Sequence, residues 1–253
     1  MCRHLAYLGP PVSLQELLID PPAGLYRQSW APRQQRHGTV NADGFGIGWY
    51  VPGDPVPARY RRGIPIWSDP SVRDIARVTR SGAVLAAVRS ASPETAGGAE
   101  AAAPFAAGRW LFSHNGILDS WRETNLPGLR AGDLDAATDS ALLWALTRRH
   151  LESGAALDGA LAAVIAEVEA VGGAGRFNFL LIDGHSIAAT AAGDTLWYRE
   201  AGGGVTVASE PGDDDPGWTV VPDRHLLTAA PSGVTIRSLF TNTEFTNTER
   251  LTA

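Results

Sequence analysis

The order of secondary structure constrains this chain more than any other feature. Two helices, about Asp139 to Leu151 and Leu157 to Val171, stand back to back between two sets of strands. The earlier set reads as Cys2 to Leu8, Gly46 to Val51, Ala58 to Arg62, Ala83 to Val88 and Trp110 to Phe112. The later set reads as Phe177 to Ile182, Ser186 to Thr190, Thr195 to Arg199, Val205 to Ala208 and Leu226 to Thr228. Strands, a helical pair and more strands make an α+β order without regular βαβ alternation. Short helices are expected after the capping-box spacing of Ser13 and Glu16, and over Ser71 to Val78. Residues 26–41 read as a polar connection, and the Ala/Gly/Pro-rich residues 96–108 as a loop.

Composition removes several chemistries. All 21 cationic side chains are arginines, so a catalytic Schiff-base lysine and a lysine-bearing phosphate loop are both excluded. Cys2 is the one cysteine, which excludes an intramolecular disulfide and a multi-cysteine metal site. A net charge of −6 argues against nucleic acid as a partner. No apolar run reaches the ~18 residues of a membrane span, and the start lacks the apolar core of a signal peptide, so a cytoplasmic protein is expected. The six histidines show no paired-ligand spacing, and Asp213-Asp214-Asp215 lacks ordered calcium-ligand spacing, so no metal and no cofactor are expected.

The position of Cys2 gives the lone thiol a second meaning. Removal of Met1 places a free α-amine on the same residue, and an α-amine with a reference pKa of about 7.7–8.0 can serve as the base for its own thiol. Ser113-His114-Asn115-Gly116 then offers an asparagine NH₂ and a glycine N–H as adjacent donors for a developing oxyanion, although Asn-Gly is also a common hairpin turn. Arg89 ends an apolar strand, where its planar fork suits a carboxylate. Asp139, at the start of a helix, suits an ammonium group or plain N-capping. A thiol, an oxyanion hole, a carboxylate clamp and an ammonium clamp together describe a site for an α-amino acid attacked at its side-chain carbonyl.

Five motifs in order carry a family resemblance: Cys2 behind the initiator, His37-Gly38 with Asn41 to Tyr50, Arg89-Ser90-Ala91-Ser92, Ser113 to Gly116, and Asp139-Ser140. Over about residues 2–230 the chain resembles class II glutamine amidotransferase domains of the N-terminal-nucleophile (Ntn) hydrolase superfamily. The resemblance implies a four-layer αββα sandwich with Cys2 at the start of a central strand. It implies Cys2 as nucleophile, Asn115 and Gly116 as oxyanion hole, Arg89 toward the α-carboxylate and Asp139 toward the α-ammonium; Ser90, Ser92 and His114 are further candidates at the substrate, His114 as support for Asn115.

Within that group the chain is similar to amidohydrolases of ergothioneine biosynthesis that act on γ-glutamyl-hercynylcysteine sulfoxide, through Met1 to His4, Ser29 to Arg33, Ala86 to Ala91 and Ala208 to Leu226. Ammonia-transferring members carry a histidine where this chain has Ser92-Pro93, which fits an enzyme that does not use glutamine itself. The implied partner is a small γ-glutamyl substrate, with no room for the ~100–200 residues of a synthase domain. A broader γ-glutamyl peptide or glutathione-conjugate hydrolase, a glutaminase subunit and a silent binding protein stay open. Trp30, Trp49, Tyr50 and Trp218 are candidates for the cationic leaving group. One domain, residues 2–237, is expected, followed by a disordered tail 238–253 that contains the duplication Phe240–Glu244 and Phe245–Glu249.

Overall fold

The α+β order resolves into two antiparallel sheets packed face to face, each covered by helices. The computed structural model describes residues 2–91, 95, 97–124, 129, 132 and 134–239. In chain order the first half supplies β1 (Arg3–Ser13), α1 (Leu14–Leu18), α2 (Leu25–Gln28), β2 (Phe45–Trp49), β3 (Ala58–Arg62), α3 (Val72–Val78), β4 (Arg80–Val88), β5 (Phe105–Ala107) and β6 (Trp110–Leu118). The second half supplies α4 (Asp139–Glu152), α5 (Leu157–Ala170), β7 (Gly175–Ile182), β8 (Ile187–Ala191), β9 (Trp197–Ala201), β10 (Gly204–Ala208), β11 (Thr219–Val220), β12 (His225–Ala230) and β13 (Gly233–Ser238). The first sheet has the order β11-β9-β10-β1-β4-β2-β3 and the second β13-β12-β8-β7-β6-β5.

Three apolar interfaces separate the four layers. Along β1 the side chains alternate, so Leu5 and Tyr7 pack outward with Leu14, Leu18 and Val72 of α1 and α3, while Ala6 and Leu8 face the second sheet. Leu85, Leu111, Leu180 and Ile187 complete the layer between the sheets. Trp144 of α4 stacks on Phe112 of β6 with ring centroids 5.5 Å apart, and Leu161 and Val164 of α5 extend that third interface. Full burial of such a side chain contributes about 1.5–3 kcal/mol, so each helix pair is anchored by its apolar stripe. The αββα sandwich implied by the family resemblance is the observed architecture.

Several details depart from the sequence reading. Ser113 to Gly116 neither end a strand nor form a turn, because β6 runs through them to Leu118 and pairs residue for residue with β7. Residues 96–108 are not simply a loop, since a 3₁₀ turn at Ala99–Ala101 and strand β5 lie there. The residues leading into β5, and Leu111 of β6, pack close because Gly46 and Gly48 of β2 lack side chains: a Cβ on Gly46 would strike the Ala103 carbonyl, and one on Gly48 would come within 2.6 Å of Leu111. β11 and β13 were not expected, and the polar 26–41 stretch begins with α2. β13 extends to Ser238 and Leu239 is buried, so the fold passes the expected boundary at 237. The duplicated pentapeptides lie outside the described residues.

Candidate active site

Antiparallel pairing brings the start of β1 beside the end of β4, with Arg3 opposite Val88. The middle of β6 faces them from the second sheet. The Cys2 backbone nitrogen donates to Asn115 Oδ1 at 3.1 Å. With that oxygen engaged, the amide must turn its Nδ2 the other way, and Nδ2 has no hydrogen-bond partner although Asn115 is fully buried. Leaving a buried donor unsatisfied costs about 1–3 kcal/mol. A small cavity of about 20 Å³ adjoins, lined by Cys2, Arg89, Ser113, His114, Ser140 and apolar groups including Phe105, and has room for one water.

Gly116 has φ +156°, and a Cβ there would run into the Arg176 carbonyl oxygen and crowd His114. Glycine is therefore required for β6 to pass β7 at this point. His114 lies on the opposite face of β6 from Asn115. Its Nε2 sits 2.9 Å from the Arg176 carbonyl, an acceptor only, so Nε2 carries the proton and Nδ1 accepts from Ser140 Oγ at 3.0 Å. Burial holds this imidazole below the usual histidine range, against the opposing pull of Asp139. Both ring nitrogens are thus occupied, and His114 ties β6 to α4 and β7 instead of bonding Asn115.

Arg89 follows β4 directly and is buried. Its backbone is fixed on both sides, by Arg89 N–H to the Gly44 carbonyl at 2.8 Å and Asp43 N–H to the Arg89 carbonyl at 2.9 Å. Its guanidinium donates to the Asp43 carbonyl at 3.2 Å and to Thr95 Oγ1 at 3.1 Å. Ser90 is half-buried, and Ser92 lies outside the described residues. Asp139 is the first residue of α4, but the cap is Thr138, whose Oγ1 accepts from Ala141 N–H at 3.1 Å. The Asp139 carboxylate instead accepts from Leu118 N–H at 3.0 Å and Ser140 N–H at 2.8 Å, and stands 4.0 Å from His114 Nδ1. Its orientation is therefore set by β6 as well as by the helix.

Several groups were not singled out from sequence. Arg3 is fully buried, 3.8 Å from Glu210, and none of its guanidinium nitrogens has a hydrogen-bond partner. Burial pulls the Arg3 pKa down while Glu210 and Asp194 oppose the shift. Glu210 in turn accepts from the Arg33 and Gln34 backbone N–H groups at 2.8 and 2.7 Å, which pins that connection at the Cys2 end. His4, two residues from Cys2 and so on the same strand face, bonds Ser113, two residues from Asn115. The available signal was this spacing of two from each singled-out residue.

The four aromatic candidates do not meet at Cys2. Trp30 packs edge-on against Tyr26 and Trp67, and Trp218 lies under the Arg199 guanidinium. Trp49 ends β2, and Tyr50 follows with its hydroxyl between the Arg109 and Ile182 carbonyls, at the other end of the sandwich. None of the four lines the Cys2 cavity. The aspartate run is occupied by arginines, Arg199 on Asp213 and Asp215 and Arg33 on Asp214. Among the described residues no three His, Cys, Asp or Glu side chains are grouped to hold a metal ion, and no helix is long and apolar enough to cross a membrane.

Comparison with known proteins gives a consistent picture. A family model described as glutamine amidotransferases class-II matches residues 23–202. The chain is 44% identical over 239 residues to the gamma-glutamyl-hercynylcysteine sulfoxide hydrolase of Mycolicibacterium smegmatis, covering 94% of this chain and 100% of that protein. It is 43% identical to the protein of the same name from Mycobacterium tuberculosis, covering 94% of this chain and 97% of that one. Among solved structures, a glutamine aminotransferase class-II domain protein from Silicibacter pomeroyi superposes with a TM-score of 0.68 at 27% identity, over 95% of this chain and all of that one. The glutamine phosphoribosylpyrophosphate amidotransferase of B. subtilis shares the fold with a TM-score of 0.67 at 17% identity, over 95% of this chain and 50% of that one.

Proposed function

The chain belongs to the class II glutamine amidotransferases, and from that membership we propose that it hydrolyses a γ-glutamyl amide, releasing glutamate from γ-glutamyl-hercynylcysteine sulfoxide. The near full-length similarity to hydrolases of that name supports the substrate. The observation that carries the mechanism is Asn115, with one end of its amide on the Cys2 nitrogen and the other end a buried donor without a partner. That is the geometry of an oxyanion donor waiting for its oxygen.

With Met1 removed, the Cys2 α-amine takes the thiol proton and the thiolate adds to the γ-carbonyl. Asn115 Nδ2 and the Gly116 N–H receive the oxyanion. The protonated amine gives its proton to the departing nitrogen, the C–N bond breaks, and a γ-glutamyl thioester remains on Cys2. Water then adds to the thioester, with the amine as base again, and glutamate leaves. Arg89 holds the α-carboxylate, Ser90 and Ser92 of the same sequence motif are further substrate contacts in this proposal, and Asp139 holds the α-ammonium. His114 ties β6 to α4 through Ser140 and to β7 through the Arg176 carbonyl. The reaction runs without a cofactor in the cytoplasm, and residues 2–237 with the buried Leu239 form the catalytic unit.

Glutamate release from glutamine, glutathione and γ-glutamyl-hercynylcysteine sulfoxide, measured side by side with the Met1-processed chain, tests this reading. The sulfoxide is expected to have the highest kcat/KM, with a mass increment on Cys2 when the reaction is quenched early. Glutamine as the best of the three makes the chain a glutaminase, and release from none of them overturns the enzyme assignment.

A further inference from the structure

Along the facing strands β1 and β6 the layer between the sheets is apolar except at the Cys2 end, where two polar contacts cross it in parallel. Cys2 N–H meets Asn115 Oδ1 at 3.1 Å, and His4 Nδ1 meets Ser113 Oγ at 3.1 Å. Two residues forward on β1 correspond to two residues back on β6, so the second contact repeats the first one step deeper. At the next step the layer is Ala6 and Leu111, which are apolar and non-directional. His4 and Ser113 are both fully enclosed, and His4 Nε2 has no partner. An apolar pair would fill this space without the desolvation cost of an unsatisfied imidazole nitrogen, about 1–3 kcal/mol.

What the polar pair adds is direction. Leucine and alanine side chains resist separation of the sheets but resist sliding weakly, whereas a hydrogen bond fixes distance and angle. The backbone on each side is already held: β1 pairs with β4 and β10, and His4 N–H donates to Ser209 Oγ at 3.1 Å. β6 pairs with β7 through Asn115 itself. The His4–Ser113 bond therefore couples two stiff sheets one step from the reacting atoms. Resting on the reading of Cys2 and Asn115 given above, we propose that His4 is a positioning residue, which through Ser113 holds the Asn115 donor at the height the oxyanion requires.

The test separates positioning of the oxyanion donor from damage to the nucleophile. Thiol alkylation by iodoacetamide forms no oxyanion, so its rate reports Cys2 alone. In the full Met1-processed chain, His4→Phe is expected to lower kcat on γ-glutamyl-hercynylcysteine sulfoxide by about 30–100-fold with KM changed by less than about threefold, because a donor displaced by a fraction of an ångström loses much of its effect in the transition state. Ser113→Ala, which removes one oxygen and threatens folding less, is expected to lower kcat by about tenfold. Ser113→Thr keeps the hydroxyl and recovers most of the rate. Adding Ser113→Ala to His4→Phe causes little further loss, because the two act as one unit. Alkylation rates stay within about twofold throughout. Unchanged kcat in Ser113→Ala, or alkylation falling in parallel with kcat, overturns the proposal. Turnover by Cys2→Ala, measured beside these, is the separate result that overturns the nucleophile reading.

Discussion

The two ends of the layer between the sheets are opposites. At the far end, grooves of about 700 and 650 Å³ open beside Leu8 and Gly9, lined largely by glycine, proline and aliphatic groups. At the near end a cavity of about 20 Å³ lies against Cys2, Arg89, Ser113 and His114. Volume alone favours the far end. Polar satisfaction points the other way: the Tyr50 hydroxyl at the far end lies 2.7 and 2.9 Å from two carbonyls, whereas Asn115 Nδ2 and His4 Nε2 at the near end are buried without partners. Buried polar atoms left unpaired are costly to keep, and for the Asn115 donor that cost is offset where a substrate oxygen completes it.

The comparison breaks most easily through the nucleophile. Cys2→Ala is expected to lower kcat by at least about 10⁴-fold, whereas Ala201→Trp, which fills the larger far groove, leaves kcat within about twofold. Glutamate release by both variants decides it, and a large loss in Ala201→Trp would return the far groove to consideration. Asn115→Ala comes next, with an expected loss of about 10²–10³-fold in kcat and little change in KM, since its free donor acts only on the oxyanion. A loss confined to KM would instead make Asn115 a ground-state contact. Arg89→Lys follows: a point charge cannot reproduce the planar fork, and KM for the γ-glutamyl substrate is expected to rise about 10–100-fold with kcat much less affected. Equal affinity in the lysine variant would remove Arg89 from the carboxylate clamp.

Much of the near end was legible in the sequence because its parts are local. Cys2, Arg89-Ser90, Ser113 to Gly116 and Asp139-Ser140 stand in compact motifs, and among the described residues four of the five α-helices with most of the strands followed from capping, periodicity and turn residues. What escaped depends on contacts distant in the chain. Arg3 meets Glu210 across 207 positions, and His4 meets Ser113 across 109. The Asn-Gly pair read as oxyanion donors past a strand end or as a hairpin turn, and only the pairing with Asn178 and Phe177 of β7 reveals it inside a strand. The aromatic candidates lie away from the Cys2 cavity, because aromatic residues fill outer layers as readily as they line sites, and no spacing distinguishes Trp30 or Trp49 from core.

The smallest expected effect reads the near end through stability. His4 is held well below the usual histidine range by burial, then by the neighbouring charges of His114 and Arg3, and His114 is lowered mainly by burial. Both are therefore neutral in the folded chain at a pH where the unfolded chain begins to take up protons. Their contribution is full above about pH 6.5 and is lost as pH falls toward the folded-state values, because only the unfolded state gains by protonation in that window. Each histidine contributes a slope of up to about 1.4 kcal/mol per pH unit. Urea midpoints are thus expected to be flat with respect to these two groups above about pH 7 and to drop between about pH 6.5 and 5.5, with His4→Phe removing one share of the slope. A midpoint as steep in His4→Phe as in the parent chain would mean that His4 takes up its proton in the folded state, and the near end would then be more open to solvent than its burial implies.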